Sequence, residues 1–108
     1  MIFSRGLHEL VLDGRKTQTR RPGGDTECRY RAGRTYAVQP ARTARSVGRI
    51  MVTDVRREYV QDITEDDARA EGFADRAAFL DRWRDLYGWR GMALAVWVIT
   101  FRLERSGP

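Results

Sequence analysis

The sequence predicts a single small α+β domain: a mostly antiparallel β-barrel flanked by about three helices. Three observations point there. A chain of 108 residues can bury one modest core and is too short for two, so residues 1–108 read as one domain with the last few as a flexible tail. Val47–Val60 and Leu94–Leu103 carry β-branched and aromatic residues among charges, as strands do. Helix start and stop signals bracket three other segments. Short strands interleaved with helices in so short a chain suit a small barrel with helices on its side.

Taken in order, Met1–Phe3 reads as a short strand. Ser4 is placed to cap a helix over Arg5–Asp13, with Leu7, Leu10 and Val11 on one face and Gly14 ending it. Thr17–Arg21 is a strand closed by Pro22, followed by a loop from Pro22 to Gly33. Thr35–Gln39 is strand-like, Pro40–Ser46 is a basic loop, and Val47–Val60 is a long strand with Ile50, Val52 and Val55. Thr64-Glu-Asp-Asp67 opens a short helix that stops at Gly72. Asp75 caps a longer helix to Tyr87, with Phe79, Leu80, Trp83, Leu86 and Tyr87 as its apolar stripe and Gly88 as its stop. Leu94–Leu103 is the last strand, with Trp97, Ile99, Phe101 and Leu103 facing one way.

Composition narrows the function classes. Hydrophobic residues make up 42% and charged residues 32%, a globular balance. No apolar run approaches the ~18 residues of a membrane span, and no signal-peptide core opens the chain. The single Cys28 has no partner for an internal disulfide; together these predict a reducing, cytoplasmic setting without a membrane partner. Twenty basic against 15 acidic residues give +5 and a pI near 10.1. Such a balance points to an acidic partner, nucleic acid first, or to the arginine-rich coding of a GC-rich genome. The cations concentrate between Arg15 and Arg57, whereas acids outnumber bases from Glu58 to Asp85.

One residue breaks the pattern. Lys16, in Gly14-Arg-Lys-Thr-Gln-Thr-Arg-Arg-Pro22, is the only lysine beside 19 arginines. Near a helix end an arginine would serve equally well as a solvated cation. Lysine alone can give up its proton, and Arg15 and Arg20 would lower its pKa. Thr17 and Thr19 share a strand face, and a hydroxyl near a lysine is the minimal nucleophile–base pair. Glu71 is also out of place, at a helix C-terminus four residues after Asp67, where its charge is unfavourable unless solvated or used. His8 and Cys28 do not make a metal ligand set, and nothing calls for a cofactor. Tyr30, Tyr36, Trp89 and Trp97 could stack on bases or fill the core.

The stretch Leu10-Val-Leu-Asp-Gly-Arg-Lys-Thr-Gln-Thr-Arg-Arg-Pro22 resembles the signature of the ASCH domain family, relatives of the PUA RNA-binding fold. The likeness continues through Arg49-Ile-Met-Val-Thr53, Ile63-Thr-Glu-Asp-Asp-Ala-Arg-Ala-Glu-Gly-Phe73, Phe79, Trp83, Tyr87-Gly88 and Val96-Trp-Val-Ile-Thr-Phe101. It implies a PUA-like barrel with a cleft lined by the motif, and RNA or a modified nucleoside as partner. One bacterial branch deacetylates N(4)-acetylcytidine with a lysine, a threonine three residues later and a glutamate in the helical insertion. These fall on Lys16, Thr19 and Glu71. Arg-Arg-Pro after Thr19, the longer Pro22–Arg34 loop and the pair Trp83 and Trp89 depart from that branch.

Three readings stay open. The first is an amidohydrolase using Lys16, Thr19 and Glu71. The second is a non-catalytic RNA-binding module in which Arg15, Arg20, Arg21, Arg42, Arg45 and Arg49 hold phosphate and Thr17 lines the ligand site. The third is a ribonuclease using the same basic cleft. No oligomeric state is read from the sequence.

Overall fold

The structure, a computed structural model, describes residues 1–23 and 27–104. The flexible tail expected at the C-terminus and the middle of the Pro22–Gly33 loop lie outside the described residues. The chain runs α1 (Leu7–Leu12), β1 (Gln18–Pro22), β2 (Thr35–Val38), β3 (Gly48–Tyr59), a single 3₁₀ turn (Val60–Asp62), α2 (Glu65–Ala70), α3 (Arg76–Gly91) and β4 (Ala95–Glu104). The four strands form one antiparallel sheet in the order β1-β4-β3-β2.

The expected α+β, mostly antiparallel architecture with three flanking helices is observed. Among the described residues the hydrogen-bonded sheet is open, with β1 and β2 at its edges. The N-terminal segment sits between those edges. Against β2 it forms a parallel bridge, Ile2 to Gln39, with Phe3 N–H donating to the Gln39 carbonyl at 2.8 Å. Against β1 the tie is made by a side chain: Arg21 Nη2 donates to the Ile2 carbonyl at 2.7 Å.

β4 is central, so it is buried on both faces rather than the one expected from its stripe. Ile99 and Phe101 join Met1, Phe3, Val11, Val38, Ile50 and Val52 in one core under α1. Val96 and Val98 join Val60, Ile63, Ala68, Phe79 and Trp83 in a second core under α2 and α3. Trp97 is half-buried, with the Arg57 guanidinium 4.6 Å over its ring. A β-bulge between Val52 and Asp54 explains the uneven spacing of Ile50, Val52 and Val55. One extra residue lets Val55, and not Asp54, turn toward the first core.

Both short helices end in Schellman turns, and these turns build the site. In α1, Gly14 N–H donates to the Val11 carbonyl and Arg15 N–H to the Leu10 carbonyl, with Gly14 at φ 83°. In α2, Gly72 N–H donates to Arg69 and Phe73 N–H to Ala68, with Gly72 at φ 101°. Glycine is needed at each because side chains resist the left-handed region. The start of α1 differs from expectation. Arg5 and Gly6 both have positive φ, which no continuing helix allows, so Gly6 rather than Ser4 precedes the first turn. The caps expected at Thr64 and Asp75 form, accepting from the Asp67 and Ala78 amides. Gly88 breaks the helical geometry of α3, but one more turn follows it to Gly91.

Candidate functional site

Lys16 follows directly on the α1 Schellman turn, and its side chain runs inward to the end of α2. It is 2% exposed. Nζ donates to the Gln18 carbonyl at 2.8 Å, the Glu71 carbonyl at 2.8 Å and Glu71 Oε1 at 2.9 Å. The Glu71 carbonyl is one of the orphan acceptors at the α2 terminus, so the lysine also caps that helix. The arrangement uses three donors diverging from one nitrogen. A planar guanidinium cannot copy it.

Glu71 is therefore not solvated. It is 3% exposed and held from both sides, by Lys16 on Oε1 and by Arg20 Nη1 at 3.2 Å on Oε2. These two cations offset the helix terminus that makes its position unfavourable. Arg20, on β1, is fully enclosed and pairs further. Nη1 donates to Gln18 Oε1 at 2.6 Å, and Nη2 reaches Glu58 at 2.7 Å and Asp67 at 3.4 Å. Arg56 closes the chain of charges on Asp67 at 2.9 Å. β1, β3 and α2 each contribute to this network. Gln18, Glu58 and Asp67 carried no distinctive signal in the sequence, because their role arises only when the sheet sets them side by side.

Burial pushes the Lys16 ammonium below its ordinary pKa. The Glu71 carboxylate opposes this by charge and hydrogen bond, while Arg21 and Arg20 add to the lowering. Arg15 is not among the causes, contrary to expectation. It is exposed and turned back onto Asp13 at 2.7 Å, whose carboxyl it holds below the usual range.

Lys16, Thr19, Arg20, Arg21 and Glu71 line one cleft of about 240 Å³. Thr19 is 4% exposed and sits opposite Ile99 on β1. Thr17, half-buried just before β1, lies outside the cleft; its backbone joins Ala70 and Phe101. Arg15 and Arg49 are also outside, Arg49 donating to Thr35 Oγ1 on the exposed sheet edge. Apolar side chains make up much of the remaining lining: Phe73, Phe79, Trp83, Leu86 and Tyr87, with Phe3. Trp83 and Tyr87 ring centroids lie 4.4 Å apart, and Trp83 Nε1 is anchored on the Gly91 carbonyl at 2.8 Å. The expected α3 stripe thus splits. Phe79 and Trp83 are core, whereas Leu86 and Tyr87 are half exposed and face the cleft. The stripe was legible; its division between core and wall was not.

The first 88 residues match the family model of the ASCH domain. The chain belongs to the ASCH domain family. Two solved structures share its fold. The ASCH domain from Lactobacillus crispatus JV V101 superposes with a TM-score of 0.75 at 18% identity, over 90% of this chain and 69% of that one. A protein of the DUF984 family from Enterococcus faecalis V583 gives 0.73 at 20% identity, over 91% of this chain and 66% of that one. No curated protein sequence matches. Within this ASCH domain, no group of three or more His, Cys, Asp or Glu among the described residues is placed to hold a metal ion. Nor is any helix among them long and apolar enough to cross a membrane.

Proposed function

We propose that this ASCH domain takes a nucleoside into the cleft and hydrolyses an acyl amide on its base, as in N(4)-acetylcytidine. The observation that carries this reading is the convergence of Lys16, Thr19 and Glu71 on one cleft that aromatic side chains also line. Flat bases stack on such side chains. A volume of about 240 Å³ lies just below the roughly 300–1,000 Å³ of drug-sized ligand pockets and suits a ligand no larger than a single nucleoside.

The Lys16–Glu71 hydrogen bond supplies the acid and the base together. Passing the shared proton from Nζ to Oε1 leaves a neutral amine and a protonated carboxyl. The amine takes the Thr19 hydroxyl proton as Oγ1 bonds to the acyl carbon. The C–N bond then breaks, and Glu71 gives its proton to the leaving cytosine amine. Lys16 and Glu71 are again ammonium and carboxylate. After the same transfer, Lys16 deprotonates a water that attacks the acyl-threonine, and Glu71 protonates the departing Oγ1. Arg20 on Oε2 keeps the carboxyl aligned throughout.

A second reading, a non-catalytic module for RNA or nucleoside, is favoured by one observation. Every Nζ proton of Lys16 already has an acceptor, as in a purely structural lysine. Thr19 separates the two. Thr19→Val preserves shape on β1, whereas any change at Lys16 disturbs a buried ion pair, at a cost of about 3–5 kcal/mol. Acetate release from N(4)-acetylcytidine should fall by at least about 10²-fold in Thr19→Val and survive in Thr19→Ser, with ligand binding and melting temperature little changed. Wild-type binding without acetate release leaves the binding module. Cleavage of RNA in a parallel gel assay makes the domain a ribonuclease.

A further inference from the structure

The charges lining the cleft do not balance. Its lining residues hold five cations, Arg5, Lys16, Arg20, Arg21 and Arg82, against one carboxylate, Glu71. Two of the cations are compensated. Lys16 pairs with Glu71, and Arg20 pairs with Glu71, Glu58 and Asp67. The other three make no salt bridge among the described residues, although acids are plentiful in the second half of the chain. Arg21 donates Nη2 to the Ile2 carbonyl and lies 5.4 Å from the Phe3 ring, contacts that orient the fork without neutralising it.

These three arginines come from separate places in the fold: the turn before α1, strand β1 and helix α3. Arg5 is exposed and Arg21 and Arg82 are half-buried, whereas Lys16, Thr19 and Glu71 are buried. The free charge therefore sits toward the mouth and the reactive groups at the floor. Arg5 is also the only non-glycine residue at positive φ among the described residues, at 56°. Such a conformation is sparsely populated and is kept where the surroundings over-determine it.

We propose that the mouth is a phosphate subsite, so that the substrate is a nucleoside 5′-monophosphate rather than a bare nucleoside. The inference rests on the reading that a nucleoside base enters this cleft. With the exocyclic group of the base at the floor, the ribose points outward and carries its 5′ substituent to Arg5, Arg21 and Arg82. Guanidinium groups hold phosphate oxygens through charge-assisted, bidentate hydrogen bonds. A phosphate monoester also supplies the negative charge that the mouth lacks.

The test is titration calorimetry on the full chain with N(4)-acetylcytidine, its 5′-monophosphate, inorganic phosphate, and a short RNA ending in a 5′-phosphate. The monophosphate should bind at least about ten-fold tighter than the nucleoside, and the gain should shrink as salt rises. Arg5→Ala and Arg82→Ala should each remove most of that gain while leaving nucleoside affinity unchanged. Inorganic phosphate should compete with the monophosphate and not with the nucleoside. Equal affinity for nucleoside and monophosphate, or a gain that survives both substitutions, overturns the subsite and leaves the nucleoside reading standing. If the RNA binds as tightly as the monophosphate, the phosphate belongs to a polymer end and the mononucleotide claim fails. If neither nucleoside nor monophosphate binds, both readings fall.

Discussion

Lys16 stands where an arginine-rich chain would be expected to place another arginine, and its surroundings give two physical reasons. One is shape: a tripod of acceptors, two carbonyls and a carboxylate, fits an ammonium and not a planar fork. The other is titration: burial lowers the pKa, and only an amine can exploit that. The pH dependence separates them. If Lys16 acts as base, turnover must fall as pH rises through its folded pKa, because the pair then loses the one shared proton that Glu71 delivers to the leaving amine. Burial puts that midpoint below the ordinary value near 10.5. Stability runs the other way. Between the lowered folded pKa and the ordinary one, the unfolded chain binds more protons, so the burial penalty is lifted as pH rises. The rate of acetate release measured from neutral to alkaline pH should therefore decline with a midpoint below the free-lysine value. A profile flat across that range would remove Lys16 from the chemistry and leave only its shape.

At the scale of elements, much was legible because local signals and tertiary structure agreed. Thr64 and Asp75 cap the helices they precede, Pro22 ends β1, and Gly14 and Gly72 end α1 and α2. What escaped was set by long-range packing. The burial of β4 on both faces follows from its place between β1 and β3, which no alternation in one strand reveals. The clamp on Glu71 depends on β1 lying beside α2, 55 residues away in sequence from Lys16. The two Schellman glycines carry a comparison that weighs local against tertiary demands. Gly14→Ala meets only the left-handed penalty, about 1–2 kcal/mol, since no atom lies within 4 Å of its new Cβ. Gly72→Ala meets that penalty and also Leu10 Cδ1 at 2.9 Å, with the Lys16 stem just behind. Thermal melts should show Gly72→Ala as the more destabilised, and its ligand affinity should fall as well, because Glu71 is anchored at that turn. Equal losses would mean that the turn relaxes without moving the site.

At the scale of the whole molecule, the N-terminal segment joins what the sheet leaves apart. It pairs with β2, is tied to β1 through Arg21, and contributes Ile2 and Phe3 to the cleft. Phe3 is 1% exposed and packs on Phe101 at 5.6 Å between ring centroids, so it belongs to the first core and to the site at once. Because β4 serves both cores, losing one should unravel the other. Phe3→Ala should cost about 3–5 kcal/mol, a large part of the roughly 5–15 kcal/mol available to a small domain. The melting temperature should drop by about 12 °C or more, in one transition seen alike by far-ultraviolet circular dichroism and tryptophan fluorescence. Trp89→Ala is the control. That ring is 75% exposed and touches the Arg84 guanidinium at 4.9 Å, so its removal should stay within about 1 kcal/mol. Two separated transitions in Phe3→Ala, with tryptophan signals surviving the loss of the first core, would show that α2, α3 and β4 fold without the N-terminal segment. The cleft would then be an interface between two independently stable halves, and ligand binding would have to hold them together.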